Sequence, residues 1–164
     1  MFFYDKQGTN FQSRLASWHD LGTDPIQEAR GNDLLEAFRR DYMGRKASNG
    51  VELKIPLPKY YVFAPLQVPY DTNFLLHGGR FKSDLDYFSA LKVLAHRLGN
   101  DRYLIIKPHP SFPYLPNELE NYFSDYSNVK IFRQIPTRTL IERAKGVVTL
   151  NSTVGFDALC FGKR

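Results

Sequence analysis

The sequence predicts an α/β domain in which helices cover both faces of a mainly parallel sheet. Three short apolar runs, at residues 60–64, 103–107 and 146–150, lack the in-out alternation of a half-exposed strand. Such continuous runs are typical of parallel strands that are buried on both faces. Helical spacing of apolar residues separates the runs, most clearly over residues 83–98. Strands that alternate with helices indicate βαβ units, and therefore a Rossmann-like arrangement.

Capping signals and periodicity predict the remaining elements. The helix over residues 83–98 has Ser83 as its N-cap, the acidic residues Asp84 and Asp86 in its first turn, and Gly99 as its stop. Periodicity alone predicts helices at about residues 33–42, 117–123, 137–144 and 153–161, and a further strand at residues 129–132.

Composition predicts a folded chain with two regions. Its 164 residues are 43% hydrophobic, which is enough for a core. Residues 1–55 are polar and broken by glycine, so we expect an N-terminal appendage or part of a neighbouring region there. The Rossmann-like domain is expected over residues 56–164.

The start of the chain, its apolar stretches and its cysteine content predict a cytoplasmic protein. The chain starts without a basic leader, and no stretch approaches the roughly 20 apolar residues of a membrane span. Its single cysteine, Cys160, fits a reducing compartment and is expected to be buried. Peripheral contact with the cytoplasmic face of the inner membrane is left open.

The charge of the chain favours anionic partners. Lys and Arg number 22 against 17 Asp and Glu, a formal net charge of +5, which suits nucleotides, acidic sugars, nucleic acid or anionic lipid. Because no dense basic tract or recognition motif is present, we do not expect nucleic acid as a partner. No metal site and no cofactor are predicted.

The first candidate ligand site follows the strand at residues 103–107, since ligands of parallel sheets bind beyond the carboxyl ends of the strands. Lys107 and His109 alternate with two prolines that stiffen the loop, the second being Pro110. This loop can offer His109 to a phosphate or a base. Alternatively, His109 only bonds a nearby carbonyl group in a tight turn.

The second candidate site follows the strand at residues 146–150. Asn151, Ser152 and Thr153 stand at the start of a helix, where free N–H groups and the helix dipole favour a phosphate. Alternatively, Ser152 or Thr153 is simply the N-cap. Asp157 stands one turn further on, where its carboxylate can reach ribose hydroxyls or can only interact with the dipole.

The third candidate site follows the strand at residues 60–64. Its proline-rich loop holds Gln67 and Asp71 near the same strand ends. Asp71 is a candidate base, nucleophile or sugar-hydroxyl ligand. Alternatively, it caps a turn before the next segment.

Taken in order, the motifs at residues 63–72, 107–110 and 146–163 resemble the signature of the capsule polysaccharide synthesis family. This family includes β-Kdo transferases, which transfer the acidic sugar Kdo. The resemblance covers about residues 60–164, and residues 1–55 carry no part of it.

The resemblance implies the nucleotide-binding half of a GT-B-like glycosyltransferase, which takes a CMP-activated acidic sugar and transfers it to a glycan or glycolipid acceptor. It implies that His109 and Pro110 contact the nucleotide and that Ser152 and Thr153 contact its phosphate. The nucleotide-binding residues are therefore expected to be Lys107, His109, Pro110, Asn151, Ser152, Thr153 and Asp157.

The resemblance also implies a catalytic pair, Asp71 with Gln67 in the same loop. Retention of a β configuration requires a double displacement, for which a carboxylate such as Asp71 is the expected nucleophile. Similar sequences often have glutamate at the position of Asp157.

Similar sequences also continue beyond residues 162–164, so we expect a domain truncated at its C-terminus. The alternative function is a catalytically inactive nucleotide-binding module in capsule assembly or export.

Overall fold

The structure, a computed structural model, describes residues 25–47, 56–68, 71–111 and 116–163. They fall into two compact units, one within residues 1–48 and the other within residues 49–164. The described part of the first unit is one helix, α1 (Pro25–Ala47). It is longer than the helix predicted at residues 33–42, and it begins at Pro25 because proline suits the first helical position.

The second unit alternates strands and helices. Its elements in order are β1 (Tyr61–Pro65), α2 (Thr72–His77), α3 (Asp84–Leu98), β2 (Tyr103–Lys107), α4 (Pro116–Tyr122), β3 (Val129–Ile131), α5 (Thr137–Arg143), β4 (Gly146–Val147) and α6 (Thr153–Cys160). No helix in the described ranges is both long and apolar enough to span a lipid bilayer.

The strands form one sheet in the order β3-β2-β1-β4. Every pairing is parallel: Phe63 in β1 aligns with Ile105 in β2 and with Val147 in β4, and Ile105 aligns with Lys130 in β3. The predicted α/β class and parallel sheet are therefore confirmed.

Helices bury both faces of the sheet. Neighbouring residues of a strand point to opposite sides, so each strand contributes to a cluster on either face. Leu104 and Ile106 pack in a cluster with residues of α3 and α4, including Leu91. Phe63 and Ile105 belong to the opposite cluster, with residues of α5 and α6. This burial explains why the strands read as continuous apolar runs.

Local polar bonds fix both ends of α3, as its caps predict. The Ser83 Oγ accepts from the N–H of Asp86 at 3.2 Å, and the carboxylate of Asp86 accepts from the N–H of Ser83 at 3.0 Å. Gly99 ends the helix with a φ of 71°, a conformation that favours glycine. The buried amide of Asn128 donates to the carbonyl oxygens of Ala95 and Gly99, each at 2.8 Å.

The helix α2 is absent from the sequence prediction, which named no element between the proline-rich loop after the first strand and the helix at residue 83. Phe74 is buried, with 4% of its surface exposed, and this anchors the short helix. Gly78 ends α2 by donating its N–H to the carbonyl oxygen of Phe74 at 2.9 Å. A Cβ atom at Gly78 would lie 2.5 Å from that oxygen, so the close approach requires glycine.

The strand β4 is shorter than the predicted strand at residues 146–150. The Val148 N–H still donates to the carbonyl oxygen of Phe63 at 2.9 Å. The next bond of the ladder would run from the backbone nitrogen of Pro65 to the carbonyl oxygen of Val148, but proline has no N–H to donate. The Val148 carbonyl oxygen instead accepts from the Tyr87 hydroxyl at 3.2 Å.

Candidate functional site

The candidate residues follow strands whose carboxyl ends meet at one edge of the sheet. Gln67 follows β1, His109 follows β2, and Ser152 follows β4. Because β1 pairs in parallel with both other strands, all three residues lie beyond the same edge. This edge is where open parallel sheets bind ligands.

Two hydrogen bonds connect the loops that follow β1 and β4. The Gln67 Nε2 donates to the Oδ1 of Asn151 at 2.5 Å. In return, the backbone N–H of Asn151 donates to the Oε1 of Gln67 at 3.3 Å. Both side chains are half-buried. Gln67, predicted as catalytic, therefore holds the loop that leads into α6.

Ser152 caps α6, which is the alternative that the sequence left open. Its Oγ accepts from the N–H of Val154 at 3.2 Å, and its φ of −74° and ψ of 144° are extended, as an N-cap requires. A hydroxyl that accepts one bond keeps its own proton for donation. Ser152 can therefore cap the helix and donate to a ligand at the same time. The neighbouring Thr153 is exposed.

The first turn of α6 packs closely on the loop that follows β4. A Cβ atom built at Gly155 would lie 3.0 Å from the Cγ2 of Thr149. Glycine at this position therefore lets the helix start lie against that loop. The approach places Ser152 and Thr153 near the sheet edge.

Lys107 is the last residue of β2 and is half-buried. Its Nζ donates to the carbonyl oxygen of Arg133 at 2.5 Å, which connects the ends of β2 and β3. Burial lowers the pKa of the Lys107 amine, because the charged form loses hydration. This cation lies at the same edge as His109.

His109 is exposed, and its Nδ1 accepts from the N–H of Ser111 at 3.1 Å. The sequence left open a turn bond to a carbonyl group; the turn bond is present but runs from a backbone N–H. The neutral ring then carries its proton on Nε2, which can donate to a ligand. Pro110 is exposed beside it.

The two candidate carboxylates lie on or beside helices. Asp71 is exposed and directly precedes α2, and its carbonyl oxygen accepts from the N–H of Leu75 at 3.0 Å. This is the position of a helix cap, the alternative expected for Asp71. Asp157 is half-buried in α6, one turn after Thr153.

Sequence reasoning missed two residues at this edge. Among the described residues, three buried side-chain atoms have no hydrogen-bond partner: Nε and Nη2 of Arg133 and Oγ1 of Thr149. Arg133 lies just after β3, and Thr149 lies just after β4. The rule that singled out His109, a polar residue directly after a strand, also selects Arg133.

The sequence of the chain matches that of a known protein family. A sequence model described as "Capsule polysaccharide biosynthesis protein" matches residues 6–164. The match starts well before residue 60. The expectation that residues 1–55 carry no part of the family pattern is therefore wrong.

Two curated proteins are similar to parts of the chain. Protein FixF of Sinorhizobium fredii is 31% identical over 134 residues, which make up 82% of this chain and 32% of FixF. The Escherichia coli capsule polysaccharide export protein KpsS is 28% identical over 114 residues, 65% of this chain and 29% of KpsS. The chain thus spans about a third of the length of these relatives.

A solved structure shares the fold. Thermosulfurimonas dismutans KpsC, described as a beta Kdo 2,7 transferase, matches with a TM-score of 0.60 and 23% identity. The match covers 86% of this chain and 40% of that chain. At this identity the likeness shows the α/β architecture alone.

Proposed function

Because the chain belongs to the family of capsule polysaccharide biosynthesis proteins, we propose that it is the nucleotide-binding half of a GT-B-like glycosyltransferase. The donor is a CMP-activated acidic sugar such as CMP-Kdo, and the acceptor is a glycan or glycolipid. The solved structure with this fold is described as a beta Kdo 2,7 transferase, which supports transfer of such a sugar.

The observation that carries this proposal is the meeting of three loops at one sheet edge, two of which are connected by the bonds between Gln67 and Asn151. A nucleotide site needs hydrogen-bond donors for the phosphate and contacts for the base within a short distance of one another. The start of α6 offers the hydroxyls of Ser152 and Thr153 near the positive end of the helix dipole. The loop after β2 offers the ring of His109.

The bound donor places its phosphate at the start of α6. Ser152 donates its hydroxyl proton there while it continues to cap the helix. His109 donates from Nε2 to the nucleotide, and the positive charge of Lys107 favours the anion. Asp157, one turn into α6, is the proposed contact of the ribose hydroxyls.

Asp71 is the proposed nucleophile. Its carboxylate oxygen forms a bond to the anomeric carbon while the bond to the phosphate oxygen breaks, and CMP leaves with that electron pair. The acceptor hydroxyl then attacks the same carbon, the bond to Asp71 breaks with its electron pair returning to the carboxylate, and the hydroxyl proton passes to solvent. Gln67, bonded to Asn151, positions the loop that carries Asp71.

Calorimetric titration of the 164-residue chain with CMP, UMP, ADP and GDP tests the proposal. We expect CMP to bind more tightly than the purine nucleotides. Equal or absent binding of all four nucleotides contradicts the proposal, since the site would then not select a cytidine nucleotide.

A second function, a catalytically inactive nucleotide-binding module in capsule assembly or export, is favoured by one observation. The relative KpsS is described as a capsule polysaccharide export protein. The two functions differ in turnover. A full-length protein that binds CMP but releases none from CMP-Kdo, with acceptor present, would support the second function.

A further inference from the structure

The guanidinium group of Arg133 presents two unpartnered donors. Its Nε and Nη2 are buried and lack a hydrogen-bond partner within the described part of the chain. These two nitrogens form one side of the guanidinium, where their N–H groups point the same way as a fork. The fork matches two neighbouring acceptor atoms that lie in one plane.

Unpartnered buried donors are costly, and a charged group costs more than a neutral one. A protein that keeps such a group at a ligand-binding edge gains from it only when a ligand supplies the acceptors. The carbonyl oxygen of Arg133 already accepts from the Nζ of Lys107. That bond holds the Arg133 backbone against the end of β2, beside the loop of His109.

The position of Arg133 decides which part of a nucleotide it meets. The sheet order places β3 and β4 at opposite sides, three strand spacings or about 14 Å apart. The phosphate of the donor lies at the start of α6, after β4. A CMP-linked sugar extends from this phosphate in two directions. The proposed function assigns the sugar to Asp71, after β1, and the nucleotide to His109, after β2, so the part of the ligand that extends toward β3 is the pyrimidine base.

We propose that the Nε and Nη2 of Arg133 donate to the O2 and N3 atoms of cytosine and thereby select CMP over UMP. This inference rests on the proposed function. Cytosine presents O2 and N3 as adjacent acceptors in the plane of the ring. Uracil has an N3–H in the same place, which faces the arginine donors and forms no bond with them. A bidentate contact between arginine and a base edge discriminates between bases for the same reason.

The test compares calorimetric affinities for CMP and UMP in the wild type and in three variants. Arg133→Met removes the fork, Arg133→Lys keeps the charge without the fork, and Arg138→Met is the matched control. Arg138 pairs with Glu142 at 2.7 Å on α5, so its guanidinium, unlike that of Arg133, already has an acceptor.

We expect Arg133→Met and Arg133→Lys each to weaken CMP binding about tenfold or more, with little change for UMP. The preference for CMP then collapses in both variants and persists in Arg138→Met. If Arg133→Lys keeps the preference, charge alone suffices and the inference is overturned. Equal weakening for CMP and UMP also overturns it, because Arg133 would then contact the phosphate or ribose.

A ligand-free measurement excludes a merely structural role. Because the Arg133 fork has no partner, Arg133→Met is expected to leave the midpoint of urea unfolding unchanged or raised. A lowered midpoint would show that Arg133 holds the fold together, which contradicts the inference. If the wild type prefers CMP and Arg133→Met keeps that preference, the inference fails while the proposed function stands. If the wild type binds no CMP, the proposed function itself fails.

Discussion

The side chain of Gln67 and the residue Asn151 are joined in both directions, through Nε2 to Oδ1 at 2.5 Å and through the Asn151 N–H to Oε1 at 3.3 Å. They are far apart in the chain but follow neighbouring parallel strands. The pair therefore sets the spacing between the loop that carries Asp71 and the start of α6.

A double-mutant cycle measures the pairing of Gln67 and Asn151. We expect Gln67→Ala and Asn151→Ala each to lower both stability and CMP affinity, because each leaves a half-buried partner unsatisfied. The coupling free energy from urea unfolding should be about 1 kcal/mol or more. Additive effects of the two changes would show that the bond between the two side chains contributes nothing to the fold, since Asn151→Ala keeps the backbone N–H that donates to Gln67.

His109→Ala should weaken CMP binding about tenfold, since it removes the Nε2 donor from the nucleotide. His96→Ala is the matched control, because His96 is exposed in the last turn of α3. Calorimetry on both variants provides the comparison. Equal CMP affinity in the wild type and in His109→Ala would remove His109 from the site.

In a full-length protein, Asp71→Asn should abolish sugar transfer while CMP binding stays nearly intact. The carboxylate acts on the anomeric carbon and not on the nucleotide, so binding and turnover separate. Asp125→Asn, at another exposed carboxylate, is the control and should transfer sugar normally. In the wild type, mass spectrometry of a stalled reaction should show a sugar adduct on the peptide that contains Asp71.

If Asp71→Asn transfers sugar at a rate near that of the wild type, Asp71 is a turn residue before α2. The nucleophile would then be another residue. An adduct on a different peptide would identify it directly.

Asn128→Ala should destabilise the protein by about 2 kcal/mol, because it leaves the carbonyl oxygens of Ala95 and Gly99 without their donor in a buried place. Asn100→Ala, at an exposed position in the following turn, is the control and should change stability little. Urea unfolding monitored by circular dichroism measures both. A change of less than a few tenths of a kcal/mol in Asn128→Ala would show that water replaces the amide.

The elements whose signals are local could be predicted from the sequence. Ser83, Asp86 and Gly99 act within a few residues of one another, so the start and end of α3 agree with the prediction. The strand at residues 103–107 is continuous and apolar because both of its faces are buried. Cys160 is buried, as expected.

The elements that depend on distant partners could not be predicted in this way. The helix α2 forms because Phe74 reaches the core, and no periodic pattern of six residues reveals that burial. The strand β4 ends early because Pro65, on another strand, has no N–H to donate.

The sequence by itself determined the parallel α/β class and the strand-end positions of His109 and Ser152. Apolar runs and helix caps depend on residues that are close together in the chain, so the sequence shows them directly. Only the tertiary structure decided which polar groups satisfy one another. Gln67 bonds Asn151, and the fork of Arg133 lacks an acceptor within the described residues. Hydrogen-bond satisfaction depends on which chain segments meet in space, and residues far apart in sequence meet only after the sheet has formed.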